Sequence, residues 1–205
     1  MRLFSLRLAR LVFGLFLFAL GIVMTMRANV GFAPWDVFHA GLAASSGISI
    51  GMVSILVGLV IVVIAALLGE KLGLGTILNM VLIGLFMDLL LKSGLIPRME
   101  EWFTGYPFLV AGLLVIAVGS YFYLDSGFGA GPRDSLMLAL TRKTGLPIGF
   151  CRGGIELLAV GAGWLLGGMV GLGTVVAAFG VGLCVQLTFR VLRFEATAVR
   201  HETLV

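Results

Sequence analysis

Six apolar runs, separated by short polar breaks, divide this chain of 205 residues: 11–26, 48–69, 76–91, 108–124, 149–167 and 174–192. Each approaches the ~20 residues that an α-helix needs to cross the hydrocarbon core of a bilayer, so the pattern predicts six spanning helices. Two shorter segments interrupt the series, 34–46 and 132–144. Each opens on a proline, which suits a first helical position because its missing N–H is not needed there. Each then places an aspartate in the first turn, near exposed amides. A helix of about a dozen residues is too short to span. These segments must lie in the interface or enter the membrane and return. Before the first run stands a basic tail with Arg2, Arg7 and Arg10. A signal peptide begins similarly, but no small-residue cleavage site follows. The only polar linker of any length is 92–107, carrying Lys92, Arg98, Glu100 and Glu101.

The short segments belong to a duplication. Gly31-Phe-Ala-Pro-Trp-Asp36 recurs as Gly129-Ala-Gly-Pro-Arg-Asp134, an offset of 134 − 36 = 98. The same offset carries Gly47, Ile50 and Gly51 onto Gly145, Ile148 and Gly149, and Gly73-Leu-Gly-Thr76 onto Gly171-Leu-Gly-Thr174. Upstream, Gly14, Ala19 and Gly21 fall on Gly112, Ala117 and Gly119. Such internal symmetry marks a membrane protein built from repeats. The copies divide the chain at 1–97 and 98–205, within one membrane domain. Three spans per copy is an odd number, so the second copy inserts upside down relative to the first. The expected fold class is therefore an all-α polytopic membrane protein, two inverted three-helix repeats each with a short Pro-led interfacial or re-entrant helix.

Composition agrees and charge adds an orientation. The chain is 60% hydrophobic and 12% charged, with a mean hydropathy of +1.15, which leaves too little polar surface for a soluble domain. Its 14 Lys and Arg against 10 Asp and Glu sit in short loops and at the ends. They act as topology signals and not as a nucleic-acid footprint. Across six spans, one side receives Arg2, Arg7, Arg10, Lys71, Arg133, Arg142, Lys143, Arg152, Arg190, Arg193 and Arg200, and the other Arg27, Lys92 and Arg98. The positive-inside rule then places both termini in the cytoplasm. Cys151 and Cys184 lie in apolar stretches without CxxC or His-rich spacing, which points to inert thiols.

Candidate chemistry concentrates in the motifs and in polar groups within the spans. Asp36 and Asp134, with Trp35, Arg133 and His39 beside them, are candidate solute- or ion-binding residues; Gly31, Pro34, Gly129, Gly131 and Pro132 would form the backbone hinges. A helix N-terminus favours an anion, whereas the two aspartates would host a cation or proton. Alternatively each aspartate merely caps its helix, and His39 is either a polar face residue or a proton relay. A charge inside hydrocarbon is costly and marks function, which adds Asp88, Glu156 and Arg152, and Gln186, which aligns with Asp88. The plainer readings are i,i+4 pairs, Asp88 with Lys92 and Arg152 with Glu156. No Walker loop, HExxH, GxSxG or metal-ligand spacing occurs. That argues against an ATP-driven pump or an enzyme and predicts no cofactor and no metal site.

GFAPWDVFHAGLA with GISIG, GAGPRDSLMLALTRKTG and IELLAVGAGWLLGGMVGLGT together resemble the YczE/YitT-like integral membrane proteins of bacteria, over nearly the whole chain. The resemblance implies a small inner-membrane protein of about six spans and no particular solute. The residues themselves suggest an inverted-repeat secondary transporter or facilitator for a small polar or charged solute, in contact with the lipid bilayer and assembled as a homodimer. A membrane scaffold or regulator of a partner protein is the alternative; an intramembrane hydrolase with an Asp pair is the remote one.

Overall fold

All six apolar runs form long helices and both proline-led segments form short ones. In chain order they are α1 (Arg2–Arg27), α2 (Pro34–Ser46), α3 (Ile50–Leu67), α4 (Leu74–Ser93), α5 (Trp102–Asp125), α6 (Pro132–Thr144), α7 (Ile148–Leu165) and α8 (Leu172–Val191). The computed structural model describes residues 2–195, and no strand occurs among them; the tail beyond, with Arg200, lies outside the described residues. The long helices α1, α3, α4, α5, α7 and α8 are each long and apolar enough to cross a membrane. At 13 residues, α2 and α6 reach only ~20 Å and are not.

The duplication is visible element by element. Helices α2, α3 and α4 begin and end 98 residues before α6, α7 and α8 (132 − 34 and 191 − 93 both give 98). Pro34 and Pro132 open their helices. Gly47 and Gly145 close them at φ 73° and 71°, a left-handed conformation that glycine alone adopts without strain.

Two boundaries differ from the sequence expectation. Helix α1 runs back through the basic tail, because Arg7 donates to the Ser126 carbonyl and stacks on Phe128 while Arg10 pairs with Asp125. The linker also shrinks to 94–101. Helix α5 starts at Trp102 and carries Pro107 within it, held where Gly105 packs against the Ala28 carbonyl.

In lipid, apolar burial favours association only weakly, and close packing of small residues replaces it. Helices α1 and α5 meet on this principle at the centre of the molecule. Gly14 lies against the backbone at Gly119 and Tyr123, Gly21 against Gly112 and Ile116, and Gly105 against Ala28. Rising numbers on one helix meet falling numbers on the other, so the two run antiparallel. Leu11, Leu15, Val23, Leu109 and Leu113 are buried around that seam. Helix α4 packs on α1, and α8 on α5.

The connecting loops are exchanged reciprocally. Gly173 at the start of α8 donates to the Val30 carbonyl before α2, at 2.8 Å; its counterpart Gly75 donates to Phe128 before α6, at 2.7 Å. At one end of the bundle lie Arg10 with Asp125 and Arg142 with Glu70. At the other, Arg27 donates to the Leu91 carbonyl and Arg98 to Asn29. Arg133 and Arg152, counted above among the topology charges of one side, instead face the interior. Both cysteines are free thiols, Cys151 buried and Cys184 half-buried.

Candidate functional site

A cavity of about 520 Å³ lies between the copies, with residues of all eight helices in its wall. That is within the range of small-molecule sites. Both motifs reach it. Pro34, Trp35, Asp36 and His39 line it from the first turns of α2, and Gly131, Pro132, Arg133 and Asp134 from those of α6. Gly31 and Gly129 do not. They stand one step earlier, at φ 117° and 116°, where a side chain would strike the loops at Gly171 and Gly73. They set the entry angle of each short helix and leave the wall to others.

Equivalent residues of the two copies meet here. Trp35 and Arg133 occupy the same place in their motifs (133 − 35 = 98), and the Arg133 guanidinium lies over the Trp35 ring, 5.0 Å from its centre. A desolvated cation–π contact of this kind is worth ~2 kcal/mol. Among the described residues Arg133 makes no ion pair, and it lines the cavity. Burial pushes this guanidinium down from its usual range, and Asp36, Asp134 and Glu156 in turn oppose that. Across the wall, Arg152 donates to Glu156 at 2.8 Å. The i,i+4 pair expected from the sequence therefore forms, and it forms on the cavity, where Gln186 of α8 also sits.

Among the described residues no backbone amide donates a hydrogen bond to the carboxylate of either motif aspartate. Their settings differ. Asp134 is exposed to the cavity and accepts a 3.3 Å hydrogen bond from the Tyr123 hydroxyl, which itself accepts from the Gly131 amide at 3.0 Å. Asp36 is 3% exposed and His39 1%. Their facing atoms, Oδ1 and Nδ1, are 3.7 Å apart, and neither has a hydrogen-bond partner.

Asp88 is absent from this wall. Its carboxylate accepts from the Ser49 hydroxyl and, at 2.9 Å, from the Gly51 amide, which ties α4 to the start of α3. These partners replace Lys92. The reason is geometric: Asp88 stands one turn after Gly84, and Gly84 faces Gly51 across a backbone-to-backbone contact. Asp88 therefore shares the packing face of α4. Conversely, Tyr123, Ser120, Asn79 and Ser54 line the cavity without having been singled out. For Tyr123 the available signal was its alignment with a second polar residue, Thr25 (123 − 25 = 98).

The arrangement can hold a small polar molecule between opposite charges. Three carboxylates (Asp36, Asp134, Glu156) and two guanidinium groups (Arg133, Arg152) border one partly open volume.

Residues 5–190 match the family of unknown function DUF6198. The chain is similar to the "Uncharacterized membrane protein YczE" of Bacillus subtilis (strain 168), 36% identical over 177 residues, covering 85% of this chain and 81% of that one. It is 33% identical over 182 residues to an "Uncharacterized protein" of Haemophilus influenzae (89% and 83% covered). It is 26% identical over 164 residues to the "Uncharacterized protein YyaS" of Bacillus subtilis (78% and 81% covered). The resemblance to YczE drawn from the duplicated motif thus holds. No solved structure matches this one.

Proposed function

The chain belongs to this family, DUF6198, and from that premise we propose that it is a small secondary transporter or facilitator, moving a small polar or charged solute through the central cavity. The observation that carries the reading is the meeting of the two motifs. Trp35 of one copy and Arg133 of the other, equivalent by the 98-residue offset, touch at a single charged cavity. Two inverted copies around one site allow each copy to do at one face what the other does at the opposite face. The antiparallel crossing of α1 and α5 and the reciprocal loop contacts support inversion. The excess of Arg and Lys at the end holding Arg7, Arg10 and Arg142 supports cytoplasmic termini in a bacterial inner membrane.

The chain works in this reading without catalysis or a cofactor. An acid pair sharing one proton needs carboxylates about 3 Å apart, whereas Asp36 faces His39 and Asp134 faces Tyr123. The homodimer belongs to the same proposal. Helices α7 and α8 present Leu157, Leu158, Leu183 and Leu187 outward, a surface for lipid or a second copy.

Untargeted metabolite profiling of cells lacking the chain, against cells carrying it, tests the reading. A small polar metabolite should accumulate on one side only when the chain is absent. Asp36→Asn and Asp134→Asn should reach the membrane folded and fail to correct the profile, because Asn keeps the shape and loses the charge. Full correction by both variants would remove the two carboxylates from the site and with them this reading.

A further inference from the structure

We infer that Asp36 and His39 form a proton-binding dyad on the cavity wall, taking up and releasing one proton at the His39 ring. The inference rests on the transport reading for the use of that proton, as the ion that moves with the solute, but not for its binding.

The geometry sets a carboxylate beside an imidazole, 3.7 Å away. Asp36 and His39 stand at i and i+3 on α2, so their side chains share one face of the helix. Both are buried, and the atoms that face each other have no other partner. A buried carboxylate left without a hydrogen bond is costly. With its Nδ1 proton turned toward Asp36, neutral His39 keeps Nε2 as a free acceptor. A proton arriving there from the cavity creates an imidazolium, and the carboxylate beside it compensates the charge. Trp35 and Phe38 stand beside the ring, with centres 6.3 and 6.4 Å away.

Charges on the neighbouring elements set the balance. Asp36 favours protonation and Arg133 of α6 opposes it. Asp134 of α6 adds a further negative charge on the cavity, and on α7 Arg152 and Glu156 are engaged with each other. The nearby polar groups of α3 and α8, Ser54 and Gln186, are neutral. On this short helix, outside the six spans, burial is the largest influence and holds His39 below the ordinary imidazole range, against the pull of Asp36. A coupling site must release its proton as readily as it binds it, and this setting favours release.

The chain has two histidines, His39 and His201. In a His201→Gln background, ¹⁵N-labelled histidine therefore reports on His39 alone by NMR of the full chain in detergent micelles. The expected result is an imidazole that becomes protonated only on acidification below the ordinary imidazole range, the ring being followed down to the pH at which the fold is lost. Asp36→Asn should lower the midpoint by about 1 pH unit or more, Asp36→Glu should keep it near the parent value, and Arg133→Gln should raise it. A His39 ring that stays neutral throughout, or a midpoint indifferent to Asp36→Asn in a variant whose remaining spectrum is unchanged, overturns the dyad. The titration needs neither solute nor gradient, so the two readings fail separately. A titrating His39 in a protein that moves no solute removes transport and leaves the dyad, and a neutral His39 in a working carrier does the reverse.

Discussion

The two copies share a framework and differ in how their last two helices meet. In the first, α3 and α4 lie backbone to backbone at Gly51 and Gly84, and Asp88 bridges to Ser49 and Gly51. In the second, α7 and α8 do not pack along their length. Gly149 and Gly182, the counterparts of that glycine pair, have open space where a side chain would go. The chemistry of the bridge is gone as well: Asp88 becomes Gln186 and Ser49 becomes Pro147 (186 − 88 and 147 − 49 both give 98). Gly182 and Gln186 border the cavity instead. The compensation lies across the copies, where α7 packs on α2 with Gly163 against Val37 and Phe38, and Gly41 against Gly163. The lesson is that identical helix boundaries can carry unequal closure, decided by a few small and polar residues.

The sharpest way to break this comparison is to insert the same side chain on both sides. Gly84→Leu drives a branched side chain into the Gly51 carbonyl and Ile55, and should cost about 3 kcal/mol, near the upper end for over-packed interiors. At Gly182, the equivalent place, an added Cβ meets nothing within 4 Å, and Gly182→Leu should leave the melting temperature in detergent unchanged or slightly raised. Equal losses would mean that the second pair is closed too. Removing the bridge comes next. Asp88→Ala strands the Gly51 amide and the Ser49 hydroxyl and should cost about 2 kcal/mol, as for hydrogen bonds to a charged group, while Gln186→Ala should be near neutral in the same thermal melts. The smallest effect is also the control. Gly47→Ala and Gly145→Ala each force a left-handed conformation on a residue with a side chain, at about 1 kcal/mol, and because both sites are exposed with φ near +72° their losses should match. Unequal losses there would locate the asymmetry in the backbone frame and not in the packed faces.

The frame was legible because the chain writes it twice. Glycines, prolines and apolar runs recurring at 98 residues delimit α2, α3 and α4 and their copies to within two residues at each end. The part that escaped was governed by partners far away in sequence. Charges at the head of α1 read as a tail, since nothing local to Arg7 and Arg10 reveals Ser126, Phe128 and Asp125. The first turns of α2 and α6 line the cavity while Gly31 and Gly129 do not, and Pro at the first helical position fixes which turn carries the aspartate. Asp88 failed as a cavity residue because a polar group inside a span does not disclose which face it occupies. Gly84, one turn before it, held that information: a glycine marks a face packed against another helix. Tyr123 was hidden for the opposite reason, as an aromatic side chain within an apolar run reads as packing.

Inversion of the two copies is the central claim, and the two glycines that close the short helices test it most directly. With Cys151 and Cys184 replaced by serine, a single cysteine is placed at Gly47 or at Gly145, both exposed at the ends of α2 and α6. Intact cells are then treated with a thiol reagent that cannot cross the membrane. The expected outcome is labelling at position 47 from outside, with position 145 labelled only after the cells are broken. Labelling of both positions from the same side would make the copies parallel and contradict the account.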